Sequence, residues 1–122
     1  MTNERVSQLK VFIGAKDWEL SRDFYKALGF TVNFDHGSVA EFQVGDNEFL
    51  LQRFYQKDWC ENTMLQVHVE DAQLWYDKVT ALLKTRDYGD AKVSAPKDMD
   101  YGATVTFMWD PSGVLWHLAQ FK

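Results

Sequence analysis

The sequence has few cysteines, few prolines and a deficit of positive charge. One cysteine and two prolines occur in 122 residues. Cys60 has no second cysteine for an internal disulfide, and the chain lacks the cysteine cluster of a structural zinc site. Thirteen Lys and Arg against eighteen Asp and Glu give a net charge of −5. This charge repels phosphate and anionic lipid, so the sequence predicts no nucleic-acid partner and no membrane partner.

Long apolar runs are missing too. None approaches the roughly 18 uncharged residues that a membrane-spanning helix needs, and residues 1–10 are polar with mixed charge. We therefore expect a soluble, cytoplasmic protein, which the single cysteine also favours. The apolar residues that are present, 46% of the chain with 16% aromatic, are enough for one hydrophobic core. The length predicts one domain over residues 1–122.

A weak internal repeat relates the two halves of the chain. Residues 9–17 align with residues 63–71, and both segments alternate in polarity and end in an acid. Each acid precedes a helical pattern, so Asp17 and Asp71 are predicted N-caps of helices over 18–28 and 72–83. Gly29 is the predicted stop of the first helix. The apolar faces of the two helices are predicted from their spacing to be Leu20, Phe24, Ala27 and Leu28, and Leu74, Trp75, Val79 and Leu82.

Each helix is followed by one further strand and a hairpin. The extra strands are predicted at 31–35 and 91–94, and the hairpins at 37–54 and 102–121, with turns at 45–47 and 110–113. Residues 84–90 and 95–101 are predicted loops. The pattern is βαβββ twice, with module one at about 7–56 and module two at about 62–122. We predict an α+β fold in which the modules form a curved mixed sheet with the helices on its outer face.

Residues 17–30 read Asp-Trp-Glu-Leu-Ser-Arg-Asp-Phe-Tyr-Lys-Ala-Leu-Gly-Phe. This segment resembles the first-helix signature of the glyoxalase, bleomycin-resistance and extradiol-dioxygenase superfamily, Asp-Leu-x-x-Ser-x-x-Phe-Tyr leading into Leu-Gly-Phe, with Trp18 in place of the common Leu. Tyr101-Gly102, followed by Asp-Pro-Ser-Gly at 110–113, is similar to the superfamily's closing pattern. The resemblance extends over residues 9–121. It implies the vicinal oxygen chelate fold and is closest in character to the metal-free bleomycin-resistance-like members.

Enzymes of this superfamily hold one divalent metal ion on the concave face through His and Glu side chains. The resemblance places the four ligand positions at Lys10 and Gln52 in module one and at Met64 and His117 in module two. A protonated Lys repels a cation, Met prefers soft metals and a Gln amide oxygen is a weak ligand. Even with His68 beside His117, the set is short of the roughly three good ligands of a catalytic zinc. We therefore predict no metal, no cofactor and no catalytic residue.

The alternation of side chains along each strand predicts which residues line the concave side. Val11, Ile13, Leu51 and Trp116 are predicted to face the helices. The predicted ligand-binding residues are Lys10, Phe12, Leu50, Gln52, Phe54, Met64, Gln66, His68, Tyr101 and His117. A cavity-facing Lys10 needs an acid or an anionic ligand group beside it.

The sequence favours a small-molecule-binding protein that sequesters a drug, toxin or metabolite in a metal-free cleft. Members of the superfamily that resemble it are homodimers with their two clefts between the chains. The aromatic residues favour a flat ligand and the acid excess favours a cationic one.

Two alternatives to this function stay open. The first is an enzyme, which is either a metal-dependent lyase, isomerase or dioxygenase or a metal-free catalyst that uses His117 and Lys10 as acid and base. The second is an interaction protein whose cavity is filled by its own side chains. Trp59 is a candidate for the cleft or for simple packing, Cys60 is an inert thiol, and Asp46 and Asp110 are turn acids.

Overall fold

The structure is a computed structural model that describes residues 3–122. Each module contributes one main helix and a set of strands. In chain order the elements are β1 (Val11–Gly14), α1 (Trp18–Ala27), β2 (Thr31–Asp35), β3 (Val39–Val44), β4 (Asn47–Gln52), α2 (Lys57–Cys60), β5 (Met64–His68), α3 (Ala72–Leu83), β6 (Lys92–Val93), β7 (Lys97–Asp98), β8 (Ala103–Trp109) and β9 (Leu115–Phe121). The α+β class and the duplicated βαβββ order are confirmed.

The strands form two mixed sheets, one from each module. Sheet one has the order β1-β4-β3-β2, and sheet two has the order β5-β9-β8-β6 with β7 also paired to β8. In both sheets the first strand lies parallel to the last strand of its module, and the hairpin strands are antiparallel. The corresponding pairings show that the sequence repeat is also a structural repeat.

Both main helices begin at the predicted acids. The side chain of Asp17 accepts a hydrogen bond from the backbone N–H of Leu20, and Asp71 does the same for Leu74. Gly29 follows α1 with φ of +93°, a conformation that favours glycine at a helix end. The predicted helix faces are wrong at two residues, since Ala27 is exposed and Leu74 is 56% exposed. Each lies at the edge of its apolar stripe, where spacing alone does not separate core from surface.

Two short elements were not expected from the sequence. The four-residue helix α2 lies in the connection between the modules and has no side-chain N-cap. The two-residue strand β7 lies in the predicted loop 95–101, and it pairs with β8 beyond Pro96. Such short elements carry no periodicity that a sequence pattern can reveal.

One hydrophobic core joins the two modules. Tyr25 on α1 packs against Phe42 and Phe49 of sheet one and against Trp116 of sheet two, with ring centroids 4.9–5.7 Å apart. Phe49 and Trp116 also touch each other directly, at 5.5 Å. The helix-facing sides of both sheets therefore share this core. Consequently the opposite side of each sheet is turned away from this core, and the two open faces are separate surfaces on separate sheets.

Among residues 3–122, no helix has both the length and the apolar character that crossing a membrane requires.

Candidate functional site

The predicted ligand-binding residues lie on the two open faces, five on each. Face one, on sheet one, comprises Lys10, Phe12, Glu41, Leu50, Gln52 and Phe54. Face two, on sheet two, comprises Met64, Gln66, His68, Tyr101, Phe107, Trp109, His117 and Phe121. The strand pairings place these residues in rows, because Phe12, Leu50 and Glu41 are neighbours across sheet one, and Gln66, His117 and Phe107 are neighbours across sheet two.

The helix-facing residues are also as predicted, with one partial exception. Ile13, Leu51 and Trp116 are buried at 2% exposure or less. Val11 is 43% exposed, because it lies on β1, which is an edge strand of sheet one. The alternation therefore identified the correct side of each strand, and Val11 is exposed through its position at an edge and not through a register error.

A charged network forms the polar part of face one. The ammonium of Lys10 is ion-paired and hydrogen-bonded to Glu41, and Asn33 donates to the other oxygen of Glu41 at 2.9 Å. The hydrogen bond between Lys10 and Glu41 raises the pKa of the lysine and lowers the pKa of the carboxyl. Lys10 is therefore the salt-bridged residue that its cavity-facing position required, and Glu41 neutralises it.

The rest of face one is aromatic and exposed. Phe12 is 56% exposed and Phe54 is 54% exposed. The ring of Trp59, from α2, lies 5.8 Å from that of Phe54. Phe12, Phe54 and Trp59 line a small cavity together with Gln52, so Trp59 extends this aromatic surface. An exposed apolar patch of this kind indicates contact with a ligand or with another protein surface.

Face two carries two groups of aromatic rings, which together we call the aromatic band, and the buried pair Val105 and Ala119 lies between them. At one end Phe121 contacts both His68 and Tyr101, at 4.6 and 6.1 Å between ring centroids. In the middle Phe107 contacts His117 at 4.8 Å, and it approaches Trp109 at 6.5 Å. The band thus presents ring surfaces from Tyr101 to Trp109, which is the kind of surface on which a flat molecule stacks.

His117 lies at the centre of this band. Its Nε2 atom is buried and lacks a hydrogen-bond partner among the described residues. The amide oxygen of the neighbouring Gln66 accepts a hydrogen bond from Nε2 of His68 at 2.9 Å. A buried polar atom without a partner is costly unless another molecule completes it. His117 therefore fits a residue that hydrogen-bonds a ligand.

A cation already lies against the other end of the band. The ammonium of Lys92 lies 4.6 Å from the centre of the Trp109 ring, which is a cation–π geometry. Lys92 and Trp109 are neighbours in the β6–β8 pairing. The indole of Trp109 is therefore oriented so that its ring face can accept positive charge.

The four superfamily metal-ligand positions do not form a metal site in this chain. Lys10 and Gln52 lie on face one, whereas Met64 and His117 lie on face two, so they do not converge within one copy. Lys10 is protonated and ion-paired with Glu41, so it cannot coordinate a cation. Of the four residues, only His117 is a good ligand for a divalent metal ion. No group of three His, Cys, Asp or Glu side chains suited to a metal ion occurs within residues 3–122. The residues present do not fit a divalent metal ion.

Two other residues that the sequence analysis considered, Cys60 and Asp110, are buried. Cys60 is buried, and burial raises the pKa of its thiol. This agrees with an inert cysteine. Asp110 is completely buried, although a turn acid is ordinarily solvated. It accepts hydrogen bonds from the phenol of Tyr25 and from the backbone N–H groups of Ser112 and Val114.

The sequence reasoning missed Glu41, Phe107, Trp109 and Phe121. Alternation could have found Phe121 and Phe107, because both fall on the same side of the sheet as His117. Glu41 was hidden because an acid between Ala40 and Phe42 looks like an ordinary solvent-facing strand residue, and Trp109 because it directly precedes a turn. The pairing of Glu41 with Lys10, 31 residues away in the chain, is a tertiary contact that no local pattern encodes.

The sequence matches no protein-family model, and no curated protein matches it. Solved structures do match. The bleomycin resistance determinant encoded on transposon Tn5 superimposes with a TM-score of 0.76 at 20% identity, covering 96% of this chain and 99% of that one. The bleomycin-binding protein of Streptomyces verticillus, in complex with copper(II)-bleomycin, gives 0.75 at 21% identity, covering 97% and 100%. Lactoylglutathione lyase from Agrobacterium tumefaciens gives 0.69 at 14%, covering 95% and 94%.

Identities of this size establish shared architecture. The superposition extends over nearly the whole of both chains, for a bleomycin-binding protein and for a lyase. The chain therefore has the same fold as the bleomycin resistance determinant, the bleomycin-binding protein and the lactoylglutathione lyase.

Proposed function

We propose that this protein binds a flat, aromatic or cationic small organic molecule, such as a drug, toxin or metabolite, and sequesters it without changing it chemically. The aromatic band of face two carries this proposal. It combines ring surfaces for stacking with His117, whose buried and unpaired Nε2 can make one directional hydrogen bond once a ligand displaces the side chains that cover it. Most small-molecule sites have this composition, with apolar and aromatic walls and a few convergent polar groups.

The preference for positive charge has two supports. The indole of Trp109 is occupied by the ammonium of Lys92, whereas the rings of Phe107 and Phe121 offer a cationic ligand the same kind of surface. Lys10, the one lysine in the predicted site, is neutralised by Glu41 and presents no net positive charge on face one. Together with the chain's net charge of −5, these features favour a cation over an anion.

The proposal extends to a homodimer. Each open face is only one wall of a cleft, because the two faces of one chain belong to different sheets. A second copy related by two-fold symmetry can set its face two against face one of the first copy, and the reverse contact then forms a second, equal cleft. The exposure of Phe12 (56%), Phe54 (54%), Met64 (66%) and Phe121 (45%) favours such burial.

The proteins with the same fold support a binding function by analogy. Two of the three structures compared above are named for bleomycin binding or bleomycin resistance. The third is a lyase, and a lyase-like activity would require a metal site that this residue set does not fit. We further propose that the protein acts in the cytoplasm, because its single cysteine is buried as a free thiol and suits a reducing compartment.

Calorimetric titration tests the proposal. Purified protein is titrated with metal-free bleomycin and with a panel of planar cationic antibiotics, before and after dialysis against EDTA. We expect saturable binding of at least one compound, with the same affinity after EDTA, and recovery of that compound unchanged. Loss of binding on EDTA treatment, with restoration by zinc or nickel, would contradict the metal-free proposal. Chemical conversion of the compound would contradict sequestration.

A further inference from the structure

A second cavity lies at the seam between the modules, on the other side of strand β5 from most of face two. Its walls are the end of α1 with Gly29, the β3–β4 turn, the edge strand β5 and one face of α3. Its volume is about 920 Å³, at the upper end of the roughly 300–1,000 Å³ typical of small-molecule sites. We call it the seam cavity.

The seam cavity is lined mainly by residues that face the shared core. Leu65, Val67 and Val69 of β5 contribute to it, and they alternate with the face-two residues of the same strand. Gln66 and His68 also reach it, because β5 is the edge strand of sheet two. Strand β5 therefore separates two spaces, the cleft over face two and the seam cavity behind it.

Aromatic rings form the inner wall of the seam cavity. Phe30 lies between two tryptophans, 6.3 Å from Trp75 and 5.8 Å from Trp116 between ring centroids. All three residues line the cavity, and Phe30 and Trp75 are only partly buried. Partly buried rings in a concave site favour an aromatic or lipophilic ligand.

The charged groups of the seam cavity are unbalanced. Asp46 and Glu48 line it, and within residues 3–122 neither forms an ion pair at contact distance. Glu48 lies near enough to Lys10 to contribute to the raised pKa of that lysine, whose ammonium is paired with Glu41. Lys78 also lines it, but its ammonium donates to the carbonyl of Leu28 at 2.6 Å and lies 4.6 Å from the Trp75 ring centre. The lysine is thus engaged with the wall, whereas the carboxylates remain available to a cation.

We propose that the seam cavity is a second ligand site, which takes a lipophilic organic cation. The aromatic part of the ligand packs against Trp75 and Phe30, and its positive charge lies near Asp46 and Glu48. This site shares Gln66 and His68 with face two, but Phe107 and His117 do not line it, so substitutions at those two residues distinguish it from the cleft proposed above.

The test uses ethidium as the probe, followed by fluorescence anisotropy on the intact protein. Glu48→Gln is expected to weaken ethidium binding about fivefold, the size of one partly exposed charge contact. Glu19→Gln is the matched control, because Glu19 is an exposed acid on α1 outside the cavity, and it is expected to leave the affinity unchanged. Thr31→Trp places a bulky ring at the cavity from an exposed strand position and is expected to abolish binding without lowering the melting temperature.

Three outcomes would overturn the proposal. In the first, Phe107→Ala abolishes ethidium binding while Glu48→Gln and Thr31→Trp do not, which places the dye on face two. In the second, the anionic dye 8-anilinonaphthalene-1-sulfonate binds and ethidium does not, which reverses the charge preference. In the third, the affinity for ethidium falls as protein concentration rises through dimer formation, which means that a second copy covers the cavity.

Discussion

The phenol of Tyr25 donates a hydrogen bond to Oδ2 of Asp110 at 2.5 Å, and this contact joins the helix of module one to the β8–β9 turn of module two. The indole N–H of Trp116 donates to the same phenol oxygen at 3.1 Å. Close by, the hydroxyl oxygens of Ser21 and Ser112 lie 3.3 Å apart, and Ser112 accepts from the backbone N–H of Lys16. The two modules are therefore held together by a buried polar clasp as well as by their common core.

The clasp explains what the two sequence signatures encode. Ser21 and Tyr25 belong to the first-helix signature, and Asp110 and Ser112 belong to the closing Asp-Pro-Ser-Gly pattern. These residues contact one another in the buried core. They are not among the residues of the open faces. The signatures consequently predict how the modules pack, whereas the function depends on other residues on the open faces.

Tyr25→Phe is expected to destabilise the fold strongly. The change removes the phenol oxygen and leaves Asp110 and the Trp116 N–H in a buried site with one partner fewer. Leaving buried polar groups unpaired costs about 2–4 kcal/mol here, with the charged carboxylate as the larger part. Urea denaturation monitored by circular dichroism measures the loss. Tyr76→Phe is the control, because Tyr76 is a partly exposed tyrosine on α3. Equal effects of the two changes would show that the clasp contributes nothing.

Asp110 is expected to make stability depend on pH in the mildly acidic range. Burial raises the pKa of its carboxyl from 3.8 to about 6, while hydrogen bonds from Tyr25 and the backbone oppose that rise. The folded protein therefore binds a proton at Asp110 that the unfolded chain has already released. The stabilisation from this proton is complete below about pH 4 and is lost as the pH rises through about 6.

The measurement is the free energy of unfolding of wild type and of Asp110→Asn at intervals from pH 4 to 7. Because the variant cannot titrate at this position, the difference between the two proteins isolates the Asp110 contribution. We expect wild type to lose, relative to the variant, on the order of 3 kcal/mol across this range, at 1.36 kcal/mol for each pKa unit. Parallel pH profiles for the two proteins would contradict the raised pKa.

Much of the fold follows from local patterns, and the arrangement of the site does not. The N-caps at Asp17 and Asp71, the stop at Gly29 and the alternation in β1, β4, β5 and β9 are short-range signals, and each predicted its element. Which residues face each other across a cleft is decided by how the modules pack. That packing depends on contacts such as Tyr25 with Asp110, which are 85 residues apart. Hence alternation indicated which side of each strand these ten residues occupy, but their division between two sheets could not be predicted. Their role in ligand binding stays a prediction.

Phe107→Ala is expected to weaken ligand binding about tenfold or more, the typical effect of removing a stacking ring at the centre of an interface. Phe107 touches both His117 and Trp109, so its removal opens the middle of the aromatic band. Titration calorimetry with the best compound from the antibiotic panel measures the change. The control is Leu74→Ala, at an exposed position on α3 that belongs to neither face. If Phe107→Ala binds as tightly as wild type, the band is not the ligand surface.

A mixing experiment tests whether each cleft is shared between two copies. Phe12→Ala disables face one and Phe107→Ala disables face two, and each variant alone is expected to bind poorly. Phe12 is 56% exposed, so its truncation should not disturb the core. In a heterodimer of the two variants, one cleft carries both changes and the other carries neither. Random exchange of subunits therefore restores wild-type affinity in about a quarter of all clefts, as expected for an isologous two-fold dimer.

The readout is the stoichiometry of tight binding in an equimolar mixture, before and after brief exposure to a urea concentration that dissociates dimers. Analytical ultracentrifugation establishes the dimer in parallel. A mixture that gains no tight sites after exchange, in a protein shown to be dimeric, would mean that each cleft is built from a single chain. A protein that stays monomeric at all concentrations would contradict the homodimer, and the ligand would then bind to one open face alone.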